Sequence, residues 1–301
     1  EKFDLIIFNP PYLPLDKNES IKSRLTTTGG KKGYEIIEKF LDQANDYLKP
    51  EGNILLLFSS LTNKKKVNEI LDKNLFKYTL IADTKLFFEE LFVYKISKND
   101  FLKKLDKYKN IQKLTEGHRG EIYTAKLHNI KIAIKKQRDD VQTNTISNEI
   151  KYLKLLNKKN IGPKLIHHGN NYFSYKFISG IFIEEFIKKS NKKIIINILI
   201  NIFNKCFILD KLNINKEEMH NPFKHIIVQN SLSPKLLDFE RATYTNKPKN
   251  VTQFCQYVCK LKKILANKKI RINVDKIRNL AKVYKNSINK ENFNNIIDEI
   301  K

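Results

Sequence analysis

A short apolar run, Leu5-Ile6-Ile7-Phe8, leads straight into Asn9-Pro10-Pro11. Proline has no N–H to donate and holds the residue before it extended, so a strand must stop here and give way to a loop. Leu13 to Thr28 is polar and loop-like, punctuated after by Gly29-Gly30 and Gly33. From Tyr34 to Leu48 the apolar residues Ile36, Ile37, Phe40, Leu41, Ala44 and Leu48 recur at helical spacing. Pro50-Glu51-Gly52 reads as a turn, Asn53 to Phe58 as a buried strand and Val67 to Leu75 as a helix. Two more strands follow, Tyr78 to Asp83 and Phe92 to Ile96. The order β-loop-α-β-α-β-β predicts a partial doubly wound, Rossmann-like α/β sheet over residues 1–97.

Lys98 to Lys107 is charged and reads as a linker, after which the grammar changes. Strands are expected at Ile111–Leu114, Glu121–Leu127 and Lys131–Lys135, a helix at Ile146–Leu156 and a strand at Tyr172–Ile178. The remainder is mostly helical apart from Ile226–Val228 and Lys235–Asp238. Strands first and helices later predict a two-lobed α+β domain over 108–301, with its first lobe at 108–180 and its second at 181–301.

A chain of 301 residues accommodates both domains, and 41% hydrophobic residues exclude a disordered chain. No apolar stretch is long enough to span a bilayer, so no membrane role is expected. The three cysteines lack the spacing of a metal site and read as buried thiols in a reducing cytoplasm. The net charge of +25 suits an acidic partner such as RNA or a ribosome. Because the lysines are spread along the whole chain, and Asn and Ile are over-used while Trp is absent, most of that charge reads as compositional. The first residue is Glu1, and a fragment is the expectation.

Asn9-Pro10-Pro11-Tyr12 can improve a planar –NH2 group as a nucleophile by accepting both of its hydrogens. The Asn9 side-chain oxygen takes one and the Pro10 carbonyl the other. Pro11 fixes the turn, and Tyr12 offers a face to a planar amide or base. Residues 3–97 resemble the C-terminal part of HemK-type methyltransferases, above all the archaeal and eukaryal branch that methylates release-factor glutamine. The blocks that carry the resemblance are Phe8-Asn9-Pro10-Pro11-Tyr12, Gly29-Gly30-Lys31-Lys32-Gly33-Tyr34-Glu35, Ser59-Ser60-Leu61-Thr62 and Leu86-Phe87-Phe88-Glu89. Thr stands where that branch usually has Trp before the paired glycines. The resemblance implies S-adenosylmethionine as cofactor, a peptide chain release factor as protein substrate and a small zinc-binding activator as partner. The motif by itself also suits a nucleic-acid adenine N6 acceptor. Only eight residues precede Asn9. An incomplete cofactor site, an exposed sheet edge and face, and no methyl transfer by this chain alone are therefore expected.

In the second domain, Glu116-Gly117-His118-Arg119-Gly120 lies between two strands, and its glycines permit close backbone approach to phosphates. Ile132-Ala133-Ile134-Lys135 is a strand ending in lysine, and Glu149 lies fourteen residues on in a helix. A strand Lys paired with a helix Glu is how protein kinases hold ATP phosphates. Asp238, in Leu236-Leu237-Asp238-Phe239-Glu240, ends a strand and suits Mg2+. This half resembles small archaeal predicted Ser/Thr protein kinases related to RIO-type and KEOPS-complex kinases, through Ile161-Gly162-Pro163-Lys164, Phe177-Ile178-Ser179-Gly180, the stretch Glu218 to Val228 and Asp238 to Ala242. That resemblance implies an adenine-holding hinge containing Phe177 and Ser179. It also implies Glu218 in the catalytic-base role, and His225 in the place of a metal-binding Asn. The pattern departs from ordinary kinases: no His-Arg-Asp, Glu240 in place of Gly, and no Ala-Pro-Glu segment. An atypical ATP-dependent kinase and a nucleotide-sensing pseudokinase therefore both remain open.

Overall fold

The structure, a computed structural model, describes every residue except Gln142 and Asn144. By contacts the chain divides into two units, Glu1–Gly117 with Glu121–Ile134, and His118–Gly120 with Lys135–Lys301.

The first unit opens with β1 (Phe3–Phe8), which stops at the prolines. Then come β2 (Leu13–Pro14), α1 (Ile21–Thr27), β3 (Thr28–Gly30) and α2 (Glu35–Tyr47). They are followed by β4 (Leu48–Ser59), α3 (Lys64–Lys73), β5 (Phe76–Lys85) and β6 (Glu90–Lys98). The sheet order is β1-β4-β6-β5. β1 and β4 are parallel, and β6 runs antiparallel to both of its neighbours, so β1, β4 and β5 all point one way. α2 buries Ile37, Leu41 and Ala44, and α3 buries Val67, Ile70 and Leu71, the core-facing stripes of two amphipathic helices. Phe8 stacks on Phe40 at 4.1 Å between ring centroids. β1 is an edge strand, and its Phe3, Leu5 and Ile7 are exposed, as the sequence led one to expect.

Three local readings are corrected. The stretch 13–28 is not all loop: Ser20 caps α1 by accepting from the Ser23 N–H, while Ile21 and Leu25 of that helix remain exposed. Pro50-Glu51-Gly52 lies inside β4, where the pairing jumps from Phe3–Leu48 to Leu5–Asn53, so the expected turn is an irregularity in a continuing strand. The segment 98–107, read as a charged linker, is partly helical. It holds α4 (Asp100–Lys104), whose Phe101 and Leu102 are buried together with Leu105, and Asn99 caps it through the Leu102 N–H.

The antiparallel pair β7 (Lys109–Glu116) and β8 (Gly120–Leu127) and most of β9 (Ile130–Gln137) were expected in the second domain. By contacts they group with the first unit up to Ile134. Phe101 meets Tyr123 at 5.6 Å, and the Asn110 N–H donates to Asp46 of α2 at 3.1 Å.

The second unit contains α5 (Thr145–Leu156), the antiparallel pair β10 (Leu165–His168) and β11 (Tyr172–Lys176), β12 (Ile181–Phe182), α6 (Ile183–Lys189) and α7 (Lys192–Lys211). β13 (Ile214–Asn215) pairs with β16 (Thr243–Tyr244), and β12, β14 (Ile226–Val228) and β15 (Pro234–Leu236) form a small antiparallel sheet. Four helices close the chain: α8 (Asn250–Lys260), α9 (Lys262–Asn267), α10 (Val274–Asn286) and α11 (Lys290–Asp298). One continuous core runs through this unit, with Ile195, Ile198, Leu199, Ile202, Phe203, Cys206 and Leu209 of α7 buried at helical spacing.

Asp210, at the end of α7, is buried and fully used. It accepts from the Asn250 N–H at 3.0 Å, the Asn250 Nδ2 at 2.7 Å, the Val251 N–H at 3.1 Å and the Tyr284 hydroxyl at 3.0 Å. The Asn250 side chain in turn donates to the Ile214 carbonyl at 2.6 Å and accepts from the Lys216 N–H at 2.8 Å. This network fixes the backbone that leads to Glu218. Among the described residues no helix is long and apolar enough to cross a membrane.

Candidate functional sites

In the first unit, the parallel pairing of β1 and β4 brings both carboxyl ends to one edge of the sheet, where open α/β sheets bind ligands. Asn9 is exposed there, Pro10 is buried and Tyr12 is half-buried. The Thr62 hydroxyl donates to the Tyr12 carbonyl at 2.9 Å and accepts from the Ser59 N–H at 3.2 Å, which ties the loop after β1 to the end of β4. The paired glycines pack against the same loop. A Cβ on Gly29 would sit 2.6 Å from the Pro11 carbonyl oxygen, and one on Gly33 2.7 Å from that of Tyr12. Gly33 also has φ of +92°, a region where side chains are strained. These glycines thus serve close packing of two loops.

Glu89, just before β6, was not singled out as a site residue. Its Oε2 is buried with no hydrogen-bond partner among the described residues. Burial first, and then the Glu89 charge, push the Tyr12 hydroxyl above its ordinary pKa. The signal available in the sequence was the Leu86-Phe87-Phe88-Glu89 block itself.

In the second unit, Lys135 on β9 reaches three carboxylates. Its Nζ lies 2.7 Å from Glu149 Oε2, 3.2 Å from Asp238 Oδ1 and 3.4 Å from Glu240 Oε2. The other Glu149 oxygen accepts from the Phe239 N–H at 3.0 Å, so α5 is pinned to the turn after β15. Asp238 has φ of +63°. Asn148 holds the same turn by donating to the Glu240 and Ala242 carbonyls at 2.8 and 3.0 Å. Burial alone would lower the Lys135 pKa, but the surrounding carboxylates outweigh it and hold the amine protonated. Burial raises Glu149 despite Lys135, whereas Lys135 and Lys216 overcome burial to keep Asp238 low. Glu149, Asp238 and Glu240 each offer an oxygen within 4.8 Å of the others, a donor set suited to a hard divalent cation.

Glu218 sits beside this cluster. Its Oε2 is 3.0 Å from His225 Nε2 and its Oε1 is 2.8 Å from Arg241 Nη1. His225 Nδ1 is buried without a hydrogen bond, 3.7 Å from Asp238 Oδ2. Burial, reinforced by Lys216, lowers the His225 pKa, so the ring is neutral near pH 7. Both Glu217 and Glu218 adopt positive φ, 60° and 58°, a strained pair in a segment held by Asn250.

Gly120 belongs with the cluster: a Cβ there would lie 3.0 Å from the Lys136 carbonyl oxygen and 3.5 Å from Lys135 Cε. Gly117 is exposed in the β7–β8 turn. Phe177, half-buried, and Ser179, exposed, lie in the coil after β11 and stand outside the ion-pair network. Three further residues come from the structure. Glu240, which the sequence presents only as a substitution for Gly, faces Lys135 and Arg119, the latter at 3.1 Å. Lys216 is buried, 5.3 Å over the Phe239 ring, with its pKa lowered by burial. The Tyr175 hydroxyl is pushed up to about 12 by burial and Glu149. No sequence pattern distinguishes Lys216 among so many lysines.

No family model matches the chain. A putative protein N5-glutamine methyltransferase of Methanocaldococcus jannaschii is 45% identical over 94 residues, 31% of this chain and 48% of that protein. A release factor glutamine methyltransferase of Aquifex aeolicus is 36% identical over 88 residues, 27% of this chain and 31% of that one. Among solved structures, the E. cuniculi Mtq2–Trm112 complex, described as responsible for methylating the termination factor eRF1, is 26% identical, covering 32% of this chain and 52% of that one. Its TM-score of 0.26 is too low to carry a structural argument. About a third of the chain is therefore similar to protein-glutamine methyltransferases, and the chain spans half or less of the curated relatives it matches.

Proposed function

We propose that this chain is a two-part transferase. Residues 1–97 would be the acceptor side of an S-adenosylmethionine-dependent glutamine N-methyltransferase, and the second unit a protein-kinase-like site for ATP and Mg2+. The similarity to glutamine methyltransferases supports the first part, together with Asn9 and Pro10 at the carboxyl ends of two parallel strands. In this reading the Asn9 side-chain oxygen and the Pro10 carbonyl accept the two hydrogens of a glutamine amide, and Tyr12 lies against its plane. A release-factor glutamine as acceptor and a small zinc-binding activator as partner belong to the same reading. Bound S-adenosylmethionine would supply the electrophilic methyl group. Among the described residues Gly29 and Gly33 are filled by packing against the Pro11 and Tyr12 carbonyls and leave no cradle for that cofactor. Asn9→Ala should weaken binding of a glutamine-bearing release-factor peptide to the chain at least tenfold while leaving the melting temperature of the first unit unchanged. Unchanged peptide affinity would refute the assignment.

One observation carries the second part: Lys135 Nζ meets Glu149 and, from 103 positions away, Asp238. Lys135 would hold ATP phosphates with Glu149 steering it, Asp238 and Glu240 would hold Mg2+, and Glu218 would accept a hydroxyl proton. His225 would stay beside Asp238, Gly120 would let backbone approach the phosphates, and Phe177 and Ser179 would flank the base. Bound ATP and Mg2+ would supply the phosphoryl group and its charge neutralisation. A second reading, nucleotide sensing without transfer, is favoured by the saturation of Lys135 with carboxylates and by the Glu240–Arg119 pair. Calorimetric titration of ATP with Mg2+ tests the site. Lys135→Ala and Asp238→Asn should each weaken binding at least tenfold, and unchanged affinity in both sinks the proposal. Phosphate transfer lost in Glu218→Gln with binding retained supports the kinase. Binding without transfer by the unaltered chain supports the sensor.

A further inference from the structure

Between α8 and α10 of the second unit lies an open groove of about 960 Å3. Lys249, Lys260, Arg278, Lys282 and Lys285 line it against one carboxylate, Asp275. The whole chain carries 57 basic to 32 acidic residues, so this concentration exceeds what composition alone would place there. Lys249, Lys282 and Lys285 make no ion pair among the described residues. Lys260 only donates to the His220 carbonyl at 3.1 Å, and Arg278 stands a loose 3.6 Å from Asp275. Three like charges left without counter-ions, Lys249 at the start of α8 and Lys282 and Lys285 on α10, repel one another across the groove, and an anionic ligand relieves that repulsion.

The spacing indicates the kind of anion. Arg278, Lys282 and Lys285 sit at i, i+4 and i+7 on one face of α10, about 6 and 4.5 Å apart along the axis. A row of this kind matches a flexible strand carrying a charge at every unit. Thr252, Gln253 and Gln256 supply neutral hydrogen-bonding groups on the α8 side, and no Phe, Tyr or Trp lines the groove. Without a stacking platform, bases contribute little and backbone phosphates dominate. The net charge of +25 would draw such a polyanion in from a distance.

We propose that the groove between α8 and α10 binds the phosphodiester backbone of a single RNA strand without sequence preference. This is independent of both enzyme readings, since none of the residues assigned to them lines the groove. The test is fluorescence anisotropy of the full chain with labelled oligouridine and oligoadenine across a salt series. Neutralising five phosphates predicts a slope of log affinity against log salt of about −3.5, the same for both sequences. The triple variant Arg278→Ala, Lys282→Ala and Lys285→Ala should lose about 2 from that slope and bind about 100-fold more weakly at 0.1 M salt. Lys158→Ala, Lys159→Ala and Lys192→Ala, which remove the same charge from other exposed sites, should change affinity less than threefold. Asp275→Lys adds a cation to the groove and should tighten binding about fivefold, a gain that misfolding cannot mimic. Equal losses in the two triple variants, or no gain in Asp275→Lys, would overturn the proposal. So would tighter binding of a polyglutamate peptide than of RNA.

Discussion

Replacing Lys135 by Met should destabilise the second unit in a way that acid repairs. The substitution keeps an apolar stem but removes the one cation among the described residues that touches all three of Glu149, Asp238 and Glu240, whose oxygens lie within 4.8 Å, leaving Arg119 in contact with Glu240 alone. Removing one partner of a buried pair costs about 3–5 kcal/mol. The loss has a ceiling, because a carboxyl can take up a proton instead. Holding a group with an ordinary pKa near 4.3 protonated at pH 7 costs about 3.7 kcal/mol. The retained proton means the folded variant binds one more proton than the unfolded chain, so its stability falls as pH rises above about 4.3. The gap to the unaltered protein should therefore shrink from about 3.7 kcal/mol at pH 7 to about 1 kcal/mol at pH 5. Urea unfolding followed by exchange labelling of the 236–242 segment reads the second unit alone. A gap below about 0.5 kcal/mol at pH 7, the range of ordinary surface changes, would refute the reasoning. A gap that widens in acid would do the same.

Gly33→Ala places a Cβ 2.7 Å from the Tyr12 carbonyl oxygen at φ of +92°; it should cost the first unit at least about 1–2 kcal/mol, readable as a lower melting temperature. The His225 pKa is held below the ordinary value, so the ring contributes stability above about pH 6.5 that is lost as pH falls. His225→Gln should flatten that acid limb in urea unfolding at pH 7 and 5.5, and an equally steep limb would exclude His225 as its source. Phe87→Ser with Phe88→Ser removes rings that are 92% and 85% exposed; stability should stay within about 0.5 kcal/mol while light scattering at high concentration falls.

Where burial follows a period, the sequence was readable. The stripes of α2, α3 and α7 and the apolar strands β4 and β6 appear in the structure close to their expected places, because their side chains point into a core at fixed intervals, and β1 ends where Pro10 and Pro11 stop it. α1 was invisible because polar groups hold it: Glu19 accepts from the Thr27 hydroxyl and Ser20 caps the first turn, with no apolar stripe to betray a helix. The buried Phe101, Leu102 and Leu105 were hidden among alternating charges. β12, β13 and β16 have two residues each, too few for any periodicity. Lys135, Glu149 and Asp238 could be paired from order and spacing. The place of Glu240 could not, since only the turn at Asp238, held by Asn148 and Glu149, swings its carboxylate toward Lys135.

Tyr284 lies 74 positions beyond Asp210, yet its hydroxyl finishes the coordination of that carboxylate. The tail of the protein is therefore a keystone for a loop about seventy positions before it, acting through Asp210 and Asn250. Trimming the last helices would strand a negative charge in the dark interior, loosen Asn250, and release the backbone at Ile214 and Lys216 that aims Glu218.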